Sequence, residues 1–95
     1  MNKKPQHIGG ALNAMFRDLG FDKKLDQVRA VEMWAEIVGE NIAQVARAER
    51  VSDGILYVKV KSMTWRTELL FQKRKILEKI EERIGRKVIN DIRFF

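Results

Sequence analysis

The hydrophobic pattern along the chain begins with a helical repeat. Four apolar residues recur at intervals of three and four positions: Ile8, Leu12, Met15 and Leu19. This spacing predicts a helix, and Gly20 fits the left-handed position at its C-terminal end. The polar residues before the repeat predict a short flexible tail over residues 1–7, so we expect a single folded domain over residues 8–95.

A second helical repeat follows directly. Its apolar positions form one stripe that is expected to face the core: Leu25, Val28, Val31, Ala35 and Val38. Asp22 is the expected N-cap residue, because a short carboxylate side chain can accept a hydrogen bond from the first turn. Gly39 either ends this helix or bends it into a short extra turn over residues 41–43.

The middle of the chain changes to the alternating pattern of a β-hairpin. Residues 45–51 and 55–61 predict two strands that flank the turn sequence Ser52-Asp53-Gly54. One face of the second strand is apolar and carries Leu56, Val58 and Val60. The opposite face is polar and carries Tyr57, Lys59 and Lys61.

A long helix and a final strand complete the pattern. Residues 63–84 predict the helix, with Ser62 or Thr64 as its cap and Gly85 at its end. Residues 88–95 predict the last strand. The resulting order is α-α-β-β-α-β, which predicts an α+β fold with a small three-stranded sheet and helices packed on one face.

The long helix carries three residues that depart from a simple amphipathic pattern. Arg66 and Lys73 fall within the width of its apolar stripe. Either the helix kinks near residues 71–73, or both side chains run along the edge of the core to solvent. We favour the second interpretation, because no Gly or Pro marks a break. Phe71 points away from the stripe and is either a contact for a partner or packed beneath the N-terminal helix, with packing slightly favoured.

Composition adds positive charge to this picture. Lys and Arg number 19 against 13 Asp and Glu, which gives a net charge of +6 at pH 7. This excess favours a polyanionic partner, most often nucleic acid. Cysteine is absent, and no apolar run has the length of a membrane span or the pattern of a signal peptide. We therefore expect a cytoplasmic protein without disulfides and without membrane contact.

The residue types that catalysis or cofactor binding requires are scarce. The only histidine, His7, lies in the predicted tail, and without Cys or a second His no ordinary transition-metal site can be assembled. Glu78, Glu81 and Glu82 cluster, but basic residues alternate with them, which is typical of a solvated helix face. No glycine-rich phosphate loop is present. We expect no enzyme activity, no cofactor and no small-molecule substrate.

The polar face of the second strand is the candidate binding surface. Alternation aims Tyr57, Lys59 and Lys61 in one direction, and an aromatic ring beside cations can stack a base and follow a single-stranded backbone. The alternative is an ordinary solvent-facing strand that carries one amphipathic tyrosine.

The register of the hairpin decides which arginine joins this row. A two-residue turn at Asp53-Gly54 places Arg50 opposite Tyr57. A three-residue loop with a glycine bulge instead places Glu49 opposite Tyr57 and Arg47 opposite Lys59. Either register adds one arginine. The candidate nucleic-acid contacts are Arg47, Arg50, Tyr57, Lys59, Lys61, Lys73 and Arg74. Lys73 and Arg74 lie on the long helix and are expected to extend the DNA track electrostatically.

Five short motifs follow one another along the chain. They are Trp34-x-x-Ile37-Val38-Gly39, Ile42-Ala43, Asp53-Gly54-Ile55-Leu56-Tyr57-Val58, Ser62-x-x-Trp65-x-x-x-Leu69 and Ile92-Arg93-Phe94. As an ordered set over residues 25–94, they resemble the DciA family, a widespread bacterial group first described as a domain of unknown function. Trp34, Trp65 and Leu69 themselves have the character of core residues.

This resemblance implies a K-homology-like fold and a role as a partner protein rather than an enzyme. It implies that the chain binds the DnaB-type replicative helicase, assists its loading onto single-stranded DNA, and binds that DNA weakly through basic residues. A K-homology domain proper clamps nucleic acid with a Gly-x-x-Gly loop, which this sequence lacks, so that RNA-binding mode is not carried over. The alternatives are a pure protein-interaction module and an RNA-binding module.

Overall fold

A computed structural model describes residues 20–95, so the predicted tail and the first predicted helix lie outside the described residues. Within this part of the chain the elements are α1 (Phe21–Glu32), α2 (Trp34–Val38), α3 (Glu40–Val45), β1 (Ala46–Ser52), β2 (Ile55–Val60), α4 (Met63–Ile84) and β3 (Asp91–Phe94). The α+β fold with three strands is confirmed, and the second predicted helix is divided into three.

β2 is the central strand of the sheet, with β1 antiparallel on one side and β3 parallel on the other. A two-residue turn joins β1 to β2, because Ser52 pairs with Ile55. Asp53 and Gly54 between them have φ angles of 54° and 76°. Positive φ at both positions matches the twist of the flanking strands, and an Asp-Gly pair favours it. α4 supplies the crossover that the parallel pair requires.

The second predicted helix differs from the structure at both its start and its middle. α1 follows Gly20, which is left-handed at a φ of 77°, so Asp22 lies inside the first turn and is not the N-cap. The helix breaks at Met33, and Gly39 separates α2 from α3. The extra turn considered over residues 41–43 is therefore part of α3.

The break at Met33 changes which residues face the core. Of the predicted stripe, Val31 and Val38 pack against the core, whereas Leu25, Val28 and Ala35 are exposed. The residues buried in this region are Ala30, Trp34 and Ile37. The predicted stripe was wrong at Ala35 because one regular period was carried through a break that contains neither Gly nor Pro. It was wrong at Leu25 and Val28 because the buried face of α1 passes through Ala30 and leaves these two residues exposed.

α4 is the continuous helix that the sequence predicts, with 22 residues over Met63–Ile84. The Ser62 hydroxyl accepts a hydrogen bond from the backbone of the first turn at 3.2 Å, and Gly85 ends the helix with a φ of 97°. The kink considered for this helix is absent. Arg66 and Lys73 both remain partly buried at the edge of the core, as the second interpretation of their positions expects.

The core lies between the helices and one face of the sheet, which we call the inner face. Its largest fully buried side chains are Leu56, Val58, Leu69, Ile80, Val88 and Ile92. Trp34 closes one side of this core, where its indole N–H donates a hydrogen bond to the Ala46 carbonyl at 2.9 Å. Because strand residues alternate between faces, the polar strand residues are left on the opposite, outer face.

Candidate nucleic-acid interface

The outer face of the sheet carries residues from all three strands in two cross-strand rows. In the first row Arg50 of β1, Tyr57 of β2 and Arg93 of β3 lie side by side. In the second row Arg47 of β1 pairs with Lys59 of β2. The rows lie about 7 Å apart along the strands. Four cations and one aromatic ring therefore share a small surface.

A bulge in β1 explains why both arginines of that strand reach the outer face. Glu49 is an extra residue, since its neighbours Ala48 and Arg50 pair with consecutive residues of β2. The turn expected for one register therefore occurs together with the Arg47–Lys59 pair expected for the other. The sequence predicts one arginine of β1 on the outer face, and the structure has two, because a bulge shifts the alternation of side chains by one residue.

Arg93 is a residue of this face that the sequence analysis did not identify. It lies beside Tyr57 in the parallel pair of β2 and β3. The alternation of Ile92, Arg93 and Phe94 already indicates that Arg93 points away from the core. The residue of β2 that lies beside Arg93 could not be predicted from this alternation, because it depends on where the chain enters the sheet again after α4.

The ring of Tyr57 is stacked by a cation. The guanidinium carbon of Arg50 lies 4.0 Å from the centroid of the Tyr57 ring. A cation over an aromatic face is attracted by the ring quadrupole, with about 0.5–1 kcal/mol at exposed sites. The cluster of aromatic and basic residues that the sequence predicts is thus present, with Arg50 over one face of the ring.

Glu49 indicates the sign of the electrostatic field at this face. Its carboxylate accepts a hydrogen bond from Nη2 of Arg47 at 2.8 Å. This hydrogen bond, together with the nearby charges of Lys59 and Arg50, holds the pKa of Glu49 below its usual value. Three cations from two strands therefore act on one carboxylate, and Arg47 is ion-paired with it.

A shallow groove lies at the end of the hairpin nearest α3. Its volume is about 410 Å³, and Arg47, Lys59 and Lys61 contribute to its lining. The Lys61 amide donates to the Val45 carbonyl at 2.9 Å, which continues the strand pairing past the end of β2. The structure therefore brings these three predicted basic residues together around one groove.

Lys73 and Arg74 are not brought onto the outer face. Both belong to α4, which packs on the inner face. Nζ of Lys73 lies 3.1 Å from the carboxylate of Asp91. The side chain of Arg74 is 94% exposed, and its Nε lies 3.8 Å from the carboxylate of Glu78. These two residues add positive charge to the chain at a different surface from the Tyr57 row.

The Lys73–Asp91 ion pair predicts a pH-dependent contribution to stability. The hydrogen bond from Lys73 lowers the pKa of Asp91 in the folded state. A lowered folded pKa stabilises the fold above the unfolded pKa, and that contribution is lost as the pH falls through the folded pKa. Asp91 is half-exposed, so we expect Asp91→Asn to lower the free energy of unfolding at neutral pH by only about 0.2–1 kcal/mol.

Urea denaturation from neutral to strongly acidic pH measures this contribution. The difference between wild type and Asp91→Asn should vanish in acid, because the wild-type carboxyl is then protonated. Glu32→Gln removes an equal charge from an exposed position on α1 and serves as the control. A difference that stayed constant across the whole pH range would contradict the role of the ion pair.

Phe71 is the most exposed large apolar residue in the described part of the chain, at 84%. Met63 and Leu70 on the same helix are also exposed. Packing beneath the N-terminal helix, the slightly favoured interpretation of Phe71, involves residues that lie outside the described ones. The exposed ring is available for the other interpretation, a contact with a partner.

Within residues 20–95, no group of three His, Cys, Asp or Glu side chains comes close enough to hold a metal ion. The helices of that same region include none that is both long and apolar enough to cross a membrane.

Comparison with known proteins identifies the family. The family model described as "Dna[CI] antecedent, DciA" matches residues 7–94. The chain belongs to the DciA family. A UPF0232 protein of Rhodococcus jostii is 33% identical over 92 residues, which cover 97% of this chain and 49% of that protein. A UPF0232 protein of Corynebacterium glutamicum is 32% identical over 90 residues, which cover 95% and 51%.

A UPF0232 protein of Mycobacterium tuberculosis is 28% identical over 91 residues, which cover 96% of this chain and 49% of that protein. The DciA-family chain therefore spans about half the length of these curated relatives. The resemblance read from the five sequence motifs is confirmed. Within the described residues of this DciA-family member, the outer face of the sheet brings four cations and the Tyr57 ring together.

Proposed function

We propose that this DciA-family chain is a non-catalytic adaptor of DNA replication, which binds the DnaB-type replicative helicase and, weakly, single-stranded DNA. The observation that carries the DNA-binding part is the register of the sheet, which brings Arg50, Tyr57 and Arg93 side by side in one row and Arg47 and Lys59 in the next. The helicase part is supported by membership of the DciA family. Basic side chains on one sheet face, with an aromatic among them, suit a flexible polyanion.

The binding to DNA is proposed to be weak because the surface is small and its cations are few. The outer face offers Arg47, Arg50, Lys59 and Arg93, with Lys61 beside the groove. Single-strand affinity arises largely from release of counterions, and each neutralised phosphate contributes only a slope of about 0.7 against the logarithm of salt concentration.

Phe71 is proposed as a contact for the helicase. It lies on α4, away from the outer face, so both partners could be bound at once. A bulky aromatic ring with 84% of its surface in water gains considerable stabilisation when a partner covers it. Met63 and Leu70 extend the apolar area on the same helix.

The decisive experiment is a binding assay between the immobilised chain and the purified DnaB-type helicase of the same organism, with and without nuclease. Helicase retained after nuclease supports direct contact. Phe71→Glu is expected to reduce retention at least tenfold, whereas Leu25→Glu, at an exposed apolar position on α1, should not. Loss of the helicase after nuclease would mean that DNA tethers the two proteins.

A parallel titration with labelled single-stranded DNA tests the other half of the proposal. Measurable affinity that falls as salt rises supports it. Retained helicase without measurable DNA binding would instead support the pure protein-interaction module. Stronger binding to structured RNA than to single-stranded DNA in direct competition would support the RNA-binding module.

Glu49→Gln is expected to raise the affinity for single-stranded DNA by about two- to fivefold at low salt. The substitution removes a negative charge from the face and releases Arg47, whose Nη2 now donates to that carboxylate at 2.8 Å. The same anisotropy titration measures the change. Glu40→Gln, an exposed carboxylate on α3, removes the same charge elsewhere and is the control. An affinity that rose equally in both variants would indicate an effect of net charge alone.

A further inference from the structure

The aromatic ring that the sequence offers for base stacking is already occupied on one side. The guanidinium of Arg50 lies 4.0 Å from the centroid of the Tyr57 ring. On the other side of Tyr57 the next residue in the row is Arg93. A nucleobase could reach the face of Tyr57 beneath Arg50 only by displacing that cation. The site therefore presents a held guanidinium over one face of this ring.

A second aromatic residue lies on the same face and is not covered in this way. The Phe95 amide donates to the Val58 carbonyl at 2.9 Å, and the Phe95 carbonyl accepts from the Val60 amide at 2.7 Å. These two hydrogen bonds flank Lys59, so Phe95 lies beside Lys59 and extends the second row of the outer face. Phe94 points into the core, and alternation turns Phe95 outward, where it is 42% exposed.

We infer that Phe95 is the residue on which an unpaired base stacks, and that Tyr57 is a positioning residue that holds Arg50 toward the phosphates. This inference rests on the proposed function, because it assigns parts of a single-strand site to particular side chains. Lys59 lies beside Phe95 in the row, and Arg93 precedes it by two residues on the same face. An exposed ring between cations can take a base while the cations take its backbone.

Two probes of equal length and charge distinguish base stacking from electrostatic attraction to the backbone. One probe is an oligo(dT) of about 12 nucleotides, and the other has abasic residues in place of every thymidine. Fluorescence anisotropy at low salt gives both affinities. Wild type is expected to bind the thymidine probe roughly tenfold more tightly than the abasic one.

The variants distinguish the two aromatic residues. Phe95→Leu should bind both probes with the affinity that wild type has for the abasic one, and Phe95→Tyr should restore the preference for bases. Tyr57→Leu should lower the affinity for both probes by the same factor, because Arg50 is released. The preference for the thymidine probe over the abasic one should remain. Tyr57→Phe keeps a ring under Arg50 and should restore the affinity for both probes that Tyr57→Leu loses. Circular dichroism confirms that each variant is folded.

Four results would overturn the inference. The preference for bases could survive in Phe95→Leu, or it could disappear in Tyr57→Leu, which would make Tyr57 the stacking residue. Wild type could also bind both probes equally, in which case bases play no part while single-strand binding itself stands. If wild type bound neither probe, the proposed DNA binding would be wrong, and the inference with it.

Discussion

Replacing Lys59 and Lys61 together with alanine is expected to weaken binding to single-stranded DNA about 25-fold at roughly 0.1 M salt. Each lysine that neutralises a phosphate contributes a slope of about 0.7 in the logarithm of affinity against the logarithm of salt, so removal of two should lower the slope by about 1.4. When the salt concentration falls tenfold from 1 M to 0.1 M, a slope difference of about 1.4 makes the affinities of wild type and the double variant diverge by about 25-fold. An anisotropy titration repeated over a salt series measures both quantities.

Lys75→Ala combined with Lys79→Ala is the matched control, because it removes the same charge from exposed positions on α4. We expect this control to leave the salt slope unchanged. If both double variants weakened binding equally, long-range attraction to net charge would explain the affinity, and the outer face would have no special part. Unchanged affinity after the Lys59 and Lys61 substitutions would remove these two residues from the DNA track.

Trp34→Ala is expected to destabilise the fold by about 3–5 kcal/mol. The indole is almost completely buried, and it packs in the core with Ala30 and Ile37. Its N–H also satisfies the Ala46 carbonyl at the start of β1, at 2.9 Å. Small domains have total stabilities of about 5–15 kcal/mol, so a loss of this size brings the chain close to unfolding.

Trp34→Phe separates packing from hydrogen bonding at this position. It keeps much of the apolar volume and leaves the Ala46 carbonyl without its donor, so we expect a loss of about 1–3 kcal/mol. Urea denaturation followed by circular dichroism measures both variants. Folded Trp34→Phe should bind single-stranded DNA as wild type does. Reduced DNA affinity in that folded variant would contradict a purely structural role for this motif residue.

The elements with strong local signals could be predicted from the sequence, and those that depend on distant contacts could not. The hairpin turn at Asp53-Gly54 and the long helix between Ser62 and Gly85 carry caps or positive-φ residues that mark their ends. The break at Met33 carries no such mark. Its position is set by burial of Trp34 against the sheet, which a helical period read along the chain does not reveal.

The candidate site shows the same division. Tyr57 and Lys59 could be placed on one face from alternation alone, and the two candidate arginines of β1 could be named. Their joint presence required the bulge, since neither regular register puts both on the outer face. Arg93 could be identified only once the parallel pairing of β3 with β2 was known, and that pairing forms between residues far apart in the sequence.

The bulge at Glu49 gives β1 one position at which a homologous chain can be a residue shorter without altering the sheet. Before the bulge Arg47 points outward, after it Arg50 does, and the pairing on both sides is regular. Deleting Glu49 would join two segments that already face the correct way. Deleting a neighbouring residue such as Arg47 would instead turn alanine outward and glutamate into the core. In an alignment of shorter homologues, a single gap in this strand therefore belongs at position 49.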